Sequence, residues 1–206
     1  LLESYLMSNI LLDNSASPLR KALESTSLGK SLSPLTGLET DHKELVFAAG
    51  LEGVESNTHE KVESLIIDCL KKVVKNGIPN EVINSSLHQL EIRQREITGS
   101  GMPYGLQIML SCLPACIHND DPLKVLDLDS SFILVKENLN KERYMEKLIE
   151  KKLINNPHRL NYSLIPDIDH NKKNEAKLLN KVEEIAKNLS DSEKNEISLL
   201  AKDLKK

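Results

Sequence analysis

The sequence predicts an α+β fold: a helix-rich layer packed on a small, mainly antiparallel sheet, followed by an antiparallel helical hairpin. Three features carry that reading. The 206 residues hold 35 leucines, no tryptophan, two phenylalanines and four tyrosines, with only eight glycines and eight prolines, which is a helix-forming composition. Apolar residues recur mostly at steps of three and four. Two short stretches break that period, one compact and apolar near residue 47 and one alternating near residue 162.

Leu2, Leu6 and Ile10 mark a first helix. Ser17-Pro18 reads as an N-cap with proline at the first helical position; Leu19, Ala22 and Leu23 continue the helix, and Gly29 ends it. Residues 31–38 carry Pro34 and Gly37 and suit an edge strand. With Leu45 to Ala49 they form a two-stranded hairpin. The clearest helix follows, with Val62, Leu65, Ile66, Cys69, Leu70, Val73 and Val74 on one face. Asn57 and Glu60 resemble its capping box, and Gly77 is its stop. A second long helix runs from about Pro79 to Ile97 on Ile83, Leu87 and Leu90.

Thr98-Gly99-Ser100-Gly101 reads as a loop. Pro103 opens a helix whose inner face is Leu106, Met109, Leu110 and Leu113, and Pro114 should kink or end it. Further helices hold Leu123, Leu126, Phe132 and Leu139, then Tyr144, Leu148 and Ile149. His158 to Ile165 alternates, which predicts a strand that joins the hairpin. The last 40 or so residues form two helices, the second opened by the capping box Ser190 to Glu193.

Charge narrows the function classes. Lys and Arg number 27 against 31 Asp and Glu, for a net charge of −4, so nucleic acid is not expected as a partner. No apolar run approaches 18 residues, so no membrane partner is expected either. Three cysteines, an odd count, suit reduced thiols and a cytoplasmic or organelle-matrix setting. The start Leu1-Leu2-Glu3 and the lysine-rich end both look like cuts from a longer chain.

Catalytic signatures are missing. No H-E-x-x-H or H-x-x-E-H occurs, so no helix presents two ring nitrogens and a carboxylate to zinc. Cys112, Cys116 and His118 could share a metal, but no fourth ligand is evident and the pair also reads as small apolar core residues. There is no G-x-S-x-G, no P-loop and no G-x-G-x-x-G. His42, His59, His88, His118, His158 and His170 are scattered. Glu91, Arg93, Arg95 and Glu96 form a dense charged run that could face a substrate cavity, but a solvated helix face with i,i+4 pairs is the favoured reading. No catalytic, cofactor-binding or metal-ligating residue is therefore assigned.

Longer strings say more. Ser15 to Leu23, Leu28 to Pro34, Phe47 to Val54, Arg95 to Leu106 and Asn156 to Arg159 resemble, in this order, segments of the pitrilysin/insulinase zinc peptidases, closest to the presequence-protease (falcilysin-like) subfamily. The resemblance implies a two-halved enzyme of four related α+β domains, of which residues 1–168 match most of the second and residues 169–206 the helical hairpin between the halves. It implies that the opening strands and the inverted zinc motif lie upstream, so zinc is expected in the parent and not in this segment. It further implies a segment inactive by itself, whose partners are the upstream and downstream domains and the parent's unfolded oligopeptide substrates. An inactive family member acting as a scaffold or assembly subunit is the alternative.

Overall fold

The computed structural model describes residues 1–55, 57–97 and 101–204. It is α+β, as the sequence predicts, and divides into two compact units, Leu1–Asn161 and Tyr162–Lys206.

The first unit is built around α1 (Leu2–Leu12), which buries Leu6, Met7, Ile10 and Leu11 to 2% exposure or less. Their spacing of one, three and four residues makes one face of a helix, and other elements surround it. Helix α2 (Pro18–Glu24) adds Leu19 and Leu23. Ser17 stands at its N-cap position, but its hydroxyl accepts the Asn14 N–H at 3.3 Å instead of capping the helix. Helix α2 also stops at Glu24, short of Gly29. Gly29 serves the chain beyond: a Cβ there would stand 2.8 Å from the Leu51 Cβ and 2.9 Å from the Glu52 carbonyl, too close for any other residue without movement.

The expected two-stranded hairpin is two nested ladders. Strand β1 (Ser31–Leu32) pairs antiparallel with β4 (Leu51–Glu52), and inside them β2 (Gly37–Glu39) pairs antiparallel with β3 (Val46–Ala48). The interruption has a local cause. Pro34 has no N–H to give a ladder. A turn closes from the Thr36 N–H to the Ser33 carbonyl at 2.9 Å, and the Gly50 N–H is left to the Thr36 hydroxyl at 3.3 Å.

Helix α3 (His59–Asn76) and helix α4 (Asn80–Arg95) follow, joined at Gly77, whose φ of 82° lies in the left-handed region. Asn57 makes no capping box: Thr58 is the N-cap residue, and its hydroxyl donates to the Glu55 carbonyl at 2.8 Å. Most of the loop expected at Thr98 to Gly101 lies outside the described residues. Helix α5 (Tyr104–Ile117) runs one turn past Pro114 before it ends. Next come α6 (Leu123–Leu126), α7 (Leu128–Leu139) and α8 (Tyr144–Ile149), the last continued by a π-helical turn over Glu150–Ile154. Phe132 and Val135 of α7 and Met145 and Ile149 of α8 close the core over α1.

A polar triad ties the far end of this core together. The Tyr144 hydroxyl and the Asn138 amide, the latter at 2.7 Å, both donate to the same Glu3 carboxylate oxygen. Burial first, and the Glu3 carboxylate second, push the Tyr144 hydroxyl up to about 12.

The strand expected over His158 to Ile165 does not form. These residues carry no ladder, and Leu160 and Leu164 are more than 80% exposed. Alternation describes two faces; a strand also needs a neighbour to bond, and none is paired here. Instead the Asn161 amide donates to Glu63 of α3 at 3.1 Å, and Arg159 stands 3.7 Å from the same carboxylate.

The second unit holds the helical hairpin, α9 (His170–Asn188) and α10 (Asp191–Asp203). The capping box read from the sequence is present: the Ser190 hydroxyl accepts the Glu193 N–H at 3.3 Å, and the Glu193 carboxylate accepts the Ser190 N–H at 2.8 Å. Its apolar stripes, including Leu179 and Val182 on α9 and Ile197 and Leu200 on α10, remain more than half exposed.

Candidate functional site

The residues that looked capable of chemistry are not gathered. Cys112 is half-buried, and its thiol donates to the Pro122 carbonyl at 3.8 Å; Cys116 is exposed. The His118 Nε2 lies 3.1 Å from the Asp41 carbonyl. Among the described residues, no group of three or more His, Cys, Asp and Glu side chains could hold a metal ion. These residues do not fit a zinc centre.

The charged run of α4 is indeed laced with pairs, and they reach other elements. Arg95 pairs with Glu91 one turn back at 3.2 Å and with Asp129 of α7 at 2.5 Å. Lys136 of α7 also meets Glu91, at 3.2 Å, and Arg93 meets Asp13 at 2.9 Å. Arg95 and Lys136 lie 5.8 and 5.9 Å from the centre of the Phe132 ring. Hydrogen bonding from Lys136 lowers the Glu91 carboxyl below its usual range. All these groups are partly or well exposed, so each pair contributes modestly. The run fastens α4 to α7 and to the end of α1.

Two surfaces are better candidates. The first is α5, which carries no charged side chain and buries no residue. Leu106, Met109, Leu110 and Leu113, expected to face inward, are 39–54% exposed, and Tyr104 and Ile117 join them. Leu123 and Leu126 of α6 extend the same character. Exposed apolar area of this extent on one helix marks a contact surface.

The second is a groove of about 1010 Å³ bounded by α2, α3, α4 and the end of α1. Ile10, Ala22, Val73 and Ile78 supply its apolar lining, with Lys21 and Lys72 from α2 and α3. Cys69 opens into it; its thiol donates to the Pro18 carbonyl at 3.4 Å, and burial pushes the thiol above its ordinary range. One end is pinned from behind. Glu146 of α8, buried to 6% exposure, accepts the Ile78 N–H at 2.8 Å, beside Arg143, which donates to the Val74 carbonyl. The sequence reading passed over Glu146. A glutamate in the first turn of a short helix, next to Met145 and three residues before Ile149, is its only signal.

No protein-family model matches the chain. Individual relatives do. Presequence protease 1, chloroplastic/mitochondrial, of Arabidopsis thaliana is 30% identical over 202 residues, 97% of this chain and 19% of the relative. Protein HypA of Clostridium perfringens is 32% identical over 196 residues, 95% of this chain and 20% of the relative. The mitochondrial presequence protease of Yarrowia lipolytica is 29% identical over 197 residues, 93% of this chain and 19% of the relative. Fold and similarity together define a segment of a peptidase family, α+β and helix-rich. Within that class, the chain is similar to the presequence proteases along nearly all of its own length. It spans about a fifth of the length of these curated relatives. Among the described residues, no helix is long and apolar enough to cross a membrane.

Proposed function

We propose that this chain is a non-catalytic segment of a zinc metalloendopeptidase that degrades oligopeptides inside a closed, two-halved chamber. The first unit forms part of the chamber wall, and α9 and α10 link the halves. The observation that carries this is collinear similarity: 97% of the chain matches a presequence protease while covering 19% of it. The uncharged face of α5 supports the wall role, since an unfolded peptide presents apolar side chains that such a face can take up. The zinc is held by residues outside this chain, and the segment alone is inactive. Closing the halves would exclude water and commit the peptide. The partners are the flanking domains of the same polypeptide and its peptide substrates. The setting is the cytoplasm or an organelle matrix, in keeping with relatives named as mitochondrial or chloroplastic.

The test is the native protein, captured from its source cells with an antibody to this segment. A polypeptide several times larger than 23.1 kDa is expected. It should carry about one zinc per chain and hydrolyse unstructured peptides until a chelator is added. A product of 23.1 kDa without zinc overturns the proposal. A long product without zinc overturns its catalytic part in favour of the scaffold.

A further inference from the structure

We propose that the groove between α2, α3 and α4 is a docking site for an acidic peptide segment, one that carries carboxylates among apolar side chains. The argument is charge complementarity over an apolar floor. Lys21 and Lys72 line the groove, and neither makes an ion pair among the described residues, whereas the cations around α4 and α7 are paired. Glu81 is the one carboxylate lining it among the described residues. Two unneutralised ammonium groups on one concave surface attract a carboxylate and repel a basic segment.

The size of the groove points to a peptide and away from a small anion. About 1010 Å³ exceeds what a single phosphate or carboxylate fills, and Val73, Ile78 and Val82 offer apolar area that an inorganic ion cannot use. Asn76, Ser85 and Gln89 line the groove as well and can bond a peptide backbone. The groove is preformed at one end, because the buried Glu146 carboxylate fixes the Ile78 N–H at 2.8 Å. A preformed site loses less ordering entropy on binding. The inference is independent of the peptidase reading, since binding alone tests it.

The experiment uses the full chain and a fluorescein-labelled peptide of alternating leucine and glutamate, with a leucine–glutamine peptide of the same length as its neutral control. Anisotropy should show the acidic peptide binding about tenfold tighter than the neutral one, a preference that salt weakens. The double variant Lys21→Ala/Lys72→Ala changes two exposed side chains, should fold as the parent does by circular dichroism, and should lose that preference. Bound acidic peptide should slow alkylation of Cys69, followed by peptide mapping, and leave the exposed Cys116 unaffected. Equal binding of the two peptides, an unchanged double variant, or undiminished Cys69 alkylation each overturns the proposal. So does equal protection of Cys69 by a single-stranded oligonucleotide, which would make the groove a general polyanion site.

Discussion

Replacing Glu146 with alanine should destabilise the first unit by about 2 kcal/mol, a figure that follows from its surroundings. Its carboxylate oxygen accepts the Ile78 N–H at 2.8 Å, and Arg143 stands 4.0 Å away. A hydrogen bond to a charged group contributes about 1.5–3 kcal/mol, and losing the acceptor also leaves the half-buried Ile78 N–H unmatched. Against this, the variant no longer buries a carboxylate at 6% exposure, which offsets part of the loss. Urea unfolding followed by far-UV circular dichroism measures the outcome. With a slope of about 2 kcal/mol/M, the midpoint should fall by about 1 M. Glu146→Gln keeps an oxygen acceptor and should lose about half as much. Hydrogen exchange at the Ile78 amide should accelerate in the alanine variant and much less in the glutamine one. An alanine variant within about 0.5 kcal/mol of the parent would refute the reasoning, as would a glutamine variant equally damaged.

Two further outcomes are expected. Leu11→Ala empties a fully buried position on α1 and should cost about 2–5 kcal/mol in the same urea assay, whereas Leu113→Ala on the exposed face of α5 should cost under about 1 kcal/mol. The Tyr144 hydroxyl sits at about 12, above its unfolded value of about 10, so the stability it contributes is complete below pH 10 or so and is lost as pH rises through about 12. Tyr144→Phe should lower stability by about 1 kcal/mol at pH 8 and flatten the alkaline decline above pH 10, a pattern read from urea midpoints taken across that range.

Helix positions were legible because backbone signals are local. The apolar spacing of α3, the glycine after it and the Ser190–Glu193 box each act within one turn of chain, and all three are present as read. Which faces are covered was not legible. The residues of α5 have the spacing of a core helix, and spacing reports only that a helix has an apolar side, never what lies against it. The same limit explains residues 158–165, where alternation was read as a paired strand. Ser17 and Asn57 failed as caps for a different reason: each is within reach of a competing local partner or backbone conformation, the Asn14 N–H for one and a φ of 72° for the other. The groove could not be read at all, since Lys21 on α2 is far in sequence from Cys69 and Ile78 and meets them only once α2 and α3 pack.

The π-helical turn after α8 has a consequence for how this chain tolerates change. The Asn155 N–H reaches back five residues to the Glu150 carbonyl, at 2.8 Å, so the turn holds one residue more than an α-helix would use over the same path. Ile149 before it and Leu153 and Ile154 within it all face the core. The surplus residue is therefore absorbed in the exposed stretch Glu150–Lys152, and removing one of those three would close an ordinary α turn without rotating either flank away from α3. A helix elsewhere in this unit that lost a residue would turn everything beyond it by about 100°. Here the ladder already contains the slack, which makes this turn a joint at which segment length can vary by one while the packing on both sides is kept.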